Sequence, residues 1–581
     1  MTFATYRPGV AKALDNCINS QPYGPRAQYD RTGRSMRQAL ENPFYYLDNF
    51  RQVLAWVGER HGDLLNDEER AFLDRFPLVP QASQALLVRM VMRKGTLFRA
   101  SKLRYAEIGC PLEAAPALLE HGWVEANPAL DLTQLFALLK KDELQRIFGS
   151  TTQRKADLFQ ALQLEHAQAR PFASWCQGLD DQAFGLTIGE LCDRVRLMFF
   201  GNIHQDWSEF VLADLGIFRY EQVPFSSASR AFHARADVDA YLHLHHCRER
   251  FEAGEPVEQV LNDVPTAPYA NEWLENRRGK LLLALGRQCE REGDLSLALR
   301  LHADNRYPTA RERAIRVLER CDQPEAALHL ALSAQAAPES EHEAQQLQRI
   351  LPRLKRSLGE AVARRVQARQ PERLDLALPR PETSVEHAVR EHLTRDEAPV
   401  YYVENALINS LLGLLCWHVI FAPVPGAFFH PFHAAPADLA RSDFFTRRAE
   451  LFKPCLDMLG SDEYRDCIRR VFRDKFGLQC QFVSWGLLDE NLLELALHCI
   501  PAEHLRAFFQ RILQDVPAHR SGLPDLIQFW PAERRYRLVE VKGPGDRLQD
   551  NQLRWIDYCA AHGMPVSVCY LQWTEASEMA A

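Results

Sequence analysis

The sequence predicts a multidomain chain, mostly α-helical, that closes with an α/β domain, and three observations carry that expectation. At 581 residues the chain is too long for one hydrophobic core, so several domains follow. Over most of its length apolar residues recur at three- and four-residue spacing, as on amphipathic helices. Near the C-terminus the pattern switches to alternation, where LPDLIQFW (523–530) and YRLVEVKG (536–543) read as strands around the charged, turn-prone PAERR (531–535).

Composition bounds the classes. With 46% hydrophobic and 25% charged residues the chain is ordinary globular material, which excludes wholesale disorder. A formal net charge of −8 excludes a bulk polycation, so nucleic-acid binding would need local basic patches. The 14 cysteines include no CxxC pair, which argues against a disulfide framework and a zinc ribbon and suits a reducing cytosol. The opening MTFATYRPGVAKALDNC has no apolar run of leader length. The most apolar segment, 407–422, holds Asn409 and His418 and is too short to span a bilayer. The expectation is a cytoplasmic protein with no membrane segment.

The elements follow in order. Residues 43–75 have amphipathic helical spacing. LLVRMVMRKGTLFRASKLRY (86–105) then carries Arg89, Arg93, Lys94, Arg99, Lys102 and Arg104 with no acidic residue, and Phe98 and Tyr105 among them. That excess of positive charge suits a surface that tracks phosphates, or a solvated basic face. LTQLFALLKKDELQRIFGSTTQRKADLFQALQ (132–163) reads as two short helices around a polar turn. His243, His245, His246 and Cys247 could share a helix face, but no second ligand pair is evident, which favours a structural role. Between 270 and 360, GDLSLALRLH (293–302) is echoed by DQPEAALHLA (322–331), which suggests stacked helix pairs. Residues 362–383, with their prolines and charges, read as a linker or as the entry to the last domain.

The chemistry lies in the two C-terminal strands. Asp525 opens the first; Glu540 and Lys542 sit two apart on the second and share a face. Burying such a set unpaired would cost several kcal/mol, so it should face solvent or bind something. Asp525 and Glu540 are hard oxygen ligands of the kind Mg2+ or Mn2+ takes, and the main-chain carbonyl of Val541 can add another. Lys542 can orient or deprotonate water and offset phosphate charge. After the strands, Gly543, Pro544 and Gly545 make a turn into a helix with Arg547 at its start and Gln552 and Trp555 along it.

The order PD…ExK resembles the PD-(D/E)xK nuclease signature, with its restriction-endonuclease-like α/β fold. GLPDL…LVEVKGPGDRLQDNQ is similar to the VRR-NUC variety, including Gln552. With VEHAVREHL (385–393), ENALINSLLGLLCWHVIF (404–421) and PADLARSDFFTRR (436–448), the chain resembles the Fanconi-associated nuclease family. The resemblance implies four regions: an N-terminal helical, winged-helix-like DNA-binding region (1–128), a SAP-like motif (129–170), a TPR-like helical region (171–375) and a VRR-NUC domain (376–581). It implies a structure-selective 5′-flap endonuclease with 5′-to-3′ exonuclease activity in interstrand crosslink repair, using one or two Mn2+ or Mg2+ ions on branched DNA, as a monomer or a DNA-dependent dimer. It adds Glu404 as a metal ligand, with Glu386 for another metal or as a buried support. Asn405 stands where the family often has glycine. The cysteine pattern has no counterpart of the zinc finger of eukaryotic members, which suggests a bacterial protein associated with the nucleoid; a eukaryotic one would be nuclear. Expected DNA contacts are Arg89, Arg93, Lys94, Arg99, Lys102, Arg520, Arg547 and Gln552. A junction-resolving or restriction-type PD-(D/E)xK enzyme, or a non-catalytic helical-repeat adaptor, are the alternatives.

Overall fold

Where the sequence alternates, the chain is extended, and where apolar residues recur every three or four it is helical, in a computed structural model that describes residues 42–149, 154–214, 216–226, 229–362, 371–380 and 383–574. The N-terminal stretch read for a leader, the middle of the polar turn at 150–153 and parts of the expected linker (363–370 and 381–382) lie outside the described residues. Two compact units emerge, one within 1–219 and 227–238, the other within 220–226 and 239–581.

In the first unit, helices Tyr45–His61, Asp67–Arg75 and Gln81–Val91 precede a three-stranded antiparallel sheet. Its strands are β1 (Leu97–Arg99), β2 (Val124–Ala126) and β3 (Ala183–Leu186), with β3 in the middle. Asn66 and Glu69 form a reciprocal cap that starts the second helix, and the buried Glu69 also receives Arg194 and Arg235. Because β3 pairs with both β1 and β2, residues assigned to the TPR-like region from 171 onward complete the N-terminal sheet, which corrects that boundary. Between β2 and β3 lie helices Leu132–Leu138, Lys141–Phe148 and Lys155–Leu162. The stretch 132–148 is therefore two helices, broken where Leu139 and Lys140 are extended and Glu143 caps the backbone of Lys140.

In the second unit, α1 (Glu272–Glu292), α2 (Leu295–Ala303), α3 (Ala310–Arg320), α4 (Pro324–Ala336) and α5 (Glu341–Ser357) each pack on the next. Ala298 and Ala327, superposed in the sequence echo, are both fully buried. Small residues at matched positions let successive helices approach closely.

The α/β region is a five-stranded mixed sheet of β4 (Glu372–Pro379), β5 (Val400–Tyr402), β6 (Leu526–Trp530), β7 (Arg535–Lys542) and β8 (Val566–Thr574). Its order is β4-β8-β7-β6-β5: the β4–β8 and β8–β7 pairs are parallel and the others antiparallel. The hairpin β6–β7 turns through Pro531–Glu533, with Arg534 left-handed at φ 51°. Strand β4 crosses the boundary expected at 375/376, so the final sheet begins inside the segment read as a linker. One face of the sheet buries Ile527, Phe529, Leu538 and Val568 in a large core with the wholly buried α6 (Leu407–Leu415). The other face packs Leu526, Val539, Val541 and Cys569 with Val389.

A buried ion triad ties the loop at 421–448 to that large core. Arg448 donates through both terminal nitrogens to Asp438, which also receives Arg447, and the Asp438 and Arg448 side chains are almost fully enclosed. Truncating one partner of a buried pair leaves an uncompensated charge, at a cost of about 3–5 kcal/mol. Asp438→Ala is therefore expected to lower the unfolding midpoint of the second unit in urea by several kcal/mol equivalent; an unchanged midpoint would show that solvent reaches Arg448.

Candidate active site

Strand register builds the site. Leu526 pairs with Val539, so one step further along both strands Asp525 stands opposite Glu540. Both point to the face that carries Ile527 and Leu538, at the rim of the large core. Lys542 follows on that face. Exposure is 7% for Asp525, 0% for Glu540 and 7% for Lys542, which rules out a solvated surface hairpin. The backbone fixes Asp525 twice: its carbonyl accepts from Val403 N at 2.8 Å, and its Oδ2 accepts from Val541 N at 2.8 Å.

The electrostatics follow from burial. Removal from water pushes the Asp525 carboxyl up to about 6; the bond from Val541 opposes the rise, and nearby Glu404 and Glu386 add to it. Burial likewise raises Glu540 to about 8, with the Asp525 charge reinforcing and Lys542 opposing. The Lys542 ammonium lies 2.8 Å from Glu540 Oε1 as an ion pair, yet neither Glu540 oxygen receives a hydrogen bond of good geometry. Two buried carboxylates of like sign, one of them (Glu540) with neither oxygen hydrogen-bonded, fit a divalent cation, which would supply the missing charge and accept hard oxygen ligands.

Glu404 completes the set only in part. It follows Val403, the residue bonded to Asp525, and it influences the charge of both Asp525 and Glu540. Its own oxygens, however, accept from Tyr402 Oη at 2.5 Å and from Asn405 Nδ2 at 3.1 Å. Accordingly no group of three or more His, Cys, Asp or Glu side chains among the described residues is already closed around a cation-sized point. Asn405 is left-handed at φ 51°, a conformation that glycine or asparagine adopts at least cost. Glu386 stands in the first turn of α7 (Val385–Leu393), half-buried and near enough to raise Asp525. Sequence reasoning missed Tyr402; no motif marks it, and only its bond to Glu404 does.

The expected DNA contacts divide. Arg99 is buried and paired with Glu143 and Asp181, so it is a structural tie between β1 and the inserted helices, which corrects its assignment to a DNA surface. Arg89 is likewise occupied, by Glu107 and by the faces of Tyr46 and Tyr105. Arg520 is half-buried on the Gln481 carbonyl and over the Phe482 ring, and burial holds its guanidinium below the usual range, so it too is internal. Gln552 spends its side-chain oxygen capping Gln549 N in the helix that follows the turn. Arg93, Lys94, Lys102 and Arg547 are exposed; Arg93 donates to the Lys102 carbonyl and lies over Tyr105. In the His243 group, His243 Nε2 lies 2.6 Å from the Asp263 carbonyl and His245 pairs with Glu249. No described helix is long and apolar enough to cross a membrane.

Family models match three parts of the chain: "FAN1, HTH domain" over residues 44–125, "Fanconi anemia-associated nuclease SAP domain" over 129–175, and "VRR-NUC domain" over 460–573. The chain is 59% identical over 541 residues to the Fanconi-associated nuclease 1 homolog of Pseudomonas aeruginosa, covering 92% of this chain and 97% of that one. It is 26% identical over 609 residues to the homolog of Oryza sativa subsp. japonica, covering 90% of this chain and 62% of the other. A crystal structure of paFAN1 bound to 2nt 5′-flap DNA with gap superposes with a TM-score of 0.90 at 58% identity, covering 92% of this chain and all of that one.

The raised carboxyls set a pH dependence. The folded state holds protons on Asp525 and Glu540 that the unfolded chain releases, so this contribution to stability is present at low pH. It is lost as pH rises from the ordinary carboxylate range, about 4, through about 6 and about 8. In chelator, Asp525→Asn/Glu540→Gln is expected to gain stability relative to wild type as pH rises across that window, read from unfolding midpoints at several pH values. A pH-independent difference would mean that the two groups titrate as they do in the unfolded chain.

Proposed function

This chain belongs to the Fanconi-associated nuclease family and is a DNA nuclease, and we propose that it cuts branched DNA at 5′ flaps with Mn2+ or Mg2+, in the manner required for interstrand crosslink repair. The observation that carries the proposal is the buried cross-strand pair of Asp525 and Glu540 with Lys542 on the same face. The flap preference is supported by the relative whose structure is described with 5′-flap DNA.

Asp525, Glu540 and Glu404 would hold the cation, with the Val541 carbonyl beside them and Glu386 placed for a second ion or as support. When bound, the cation lowers the pKa of a water and offsets charge on the scissile phosphate. The chain's own residues do the rest. Asp525, pinned through Val541 N and Val403 N, keeps its carboxylate in one orientation. Lys542 Nζ, 2.8 Å from Glu540, is held where it can orient a nucleophilic water and stabilise charge that develops on phosphate. A lysine suits this role because its ammonium is a compact point charge on a flexible stem. Arg93, Lys94, Lys102 and Arg547 remain the exposed candidates for phosphate contacts.

On a labelled 5′ flap with Mn2+, Asp525→Ala is expected to abolish cutting, and Lys542→Ala to bind DNA normally while cleavage falls by roughly 10²–10⁴. Wild-type rates in Asp525→Ala would remove the proposed centre, and lost binding with turnover per complex intact would make Lys542 a phosphate contact. Equal cutting of flap and four-way junction would favour a junction-resolving enzyme.

Arg93→Ala/Lys94→Ala is expected to weaken DNA binding and reduce the slope of log affinity against log salt by about two, one for each lost phosphate contact. An unchanged slope returns this segment to a solvated basic face.

A further inference from the structure

Tyr402 ends the sheet's edge strand two residues before Glu404, and its hydroxyl donates to Glu404 Oε2 at 2.5 Å. The Tyr402 ring is fixed in turn: His387 stacks on it with centroids 5.7 Å apart and planes inclined by 27°, and His387 Nδ1 lies 2.9 Å from the hydroxyl of Ser384, the residue that caps α7. The other Glu404 oxygen receives Asn405 Nδ2. Meanwhile Asp525 and Glu540, the two buried carboxylates, are not joined by a third acidic side chain around any cation-sized point among the described residues.

We infer that Tyr402 parks Glu404 away from the buried carboxylates until a divalent cation recruits it. The inference rests on the metal-centre reading above. Its physical basis is like-charge repulsion in a site withdrawn from water: without a cation, a third carboxylate beside Asp525 and Glu540 is unfavourable. A phenol hydroxyl at the rim offers Glu404 a charge-assisted hydrogen bond in a solvated place. A cation reverses the preference, and Glu404 exchanges the Tyr402 hydroxyl for the metal. Tyr402 is thus a positioning residue that sets how much binding energy the cation must give up to draw in its third carboxylate.

The sign of the effect distinguishes parking from support. A residue that merely oriented a ligand would weaken metal binding when removed, typically 10–100-fold. A residue that competes for the ligand does the opposite. Mn2+ binding to the full chain, followed by the loss of the free-ion electron paramagnetic resonance signal, is expected to tighten about tenfold in Tyr402→Phe, equivalent to about 1.4 kcal/mol, and to weaken in Glu404→Gln and Asp525→Asn. Thermal unfolding in chelator should stay close to wild type for Tyr402→Phe, since the ring and its stacking partner are retained. Unchanged or weaker Mn2+ binding in Tyr402→Phe, with Asp525→Asn still weakened, would overturn the parking role alone. If Asp525→Asn also bound Mn2+ like wild type, the metal-centre reading would fail and this inference with it.

Discussion

Two carboxylates held opposite one another on paired strands, at the rim of an apolar core, are the constraint on which the second unit depends. Strand pairing gives neither side chain freedom to withdraw: Asp525 is tied by its carbonyl to Val403 and by its carboxylate to Val541, and Glu540 is enclosed between Val539 and Val541 on a central strand. A one-residue slip would exchange this face for the one that carries Leu526 and Val539, which burial on both sides forbids. The approach to Asp525 is fixed by Gly522, left-handed at φ 88°, where any Cβ would fall 2.7 Å from the backbone of Asn551. The acidic pair is therefore positioned by backbone, which is what reproducible geometry at a reacting centre requires.

The helical region contributes to the same end. Glu341, at the start of α5, lies 2.9 Å from His519 Nε2 and receives Arg511, and the Trp555 indole donates to the His519 carbonyl. Further along α5, Arg349 and Gln346 converge on Asp550, the first residue of the helix that follows the Gly543 turn. One helix thus braces both the segment that leads into Asp525 and the segment that leaves Lys542. These pairs are partly exposed, so their individual contributions to stability are small. Their effect is to orient two segments against a common support.

What was legible in the sequence is what obeys local periodicity. The hairpin and the shared face of Glu540 and Lys542 follow from a period of two and a turn; the register that sets Asp525 opposite Glu540 does not, because the strands pair one residue closer to the turn, at Trp530 and Arg535, than the charged run 531–535 suggests. Helices between 270 and 360 were legible for the same reason. What was not legible depends on partners far away along the chain. Arg99 looks like its basic neighbours until Glu143 and Asp181 close on it from 44 and 82 residues downstream. Strand β3 pairs with β1 and β2 across inserted helices, so no local signal assigns 183–186 to the N-terminal sheet. The β4 segment did alternate, with Leu374, Leu376 and Leu378 turned inward and Arg373, Asp375 and Ala377 exposed, but flanking prolines and charges gave it the look of a linker. Glu404 came from family resemblance, because one glutamate before an apolar helix is also ordinary helix-terminal charge. Its bond to Tyr402 is a side-chain choice that spacing does not encode.

The same constraint bears on how DNA can approach. A phosphodiester brings negative charge to a place where Asp525, Glu540 and Glu404 already supply it, and at short range inside a protein such repulsion is far stronger than in water. Protonation, toward which burial pushes Asp525 and Glu540, relieves it without a cation, but a protonated carboxyl is a poor metal ligand. Lys542 offsets one charge through the ion pair it makes with Glu540. If Asp525 and Glu540 form the proposed centre, charge balance there requires cation and phosphate together, each making the other's approach less costly. The overall charge of −8 sharpens this requirement, because under the proposed function long-range attraction to DNA would fall to exposed basic residues such as Arg93, Lys94 and Lys102 rather than to the acidic site.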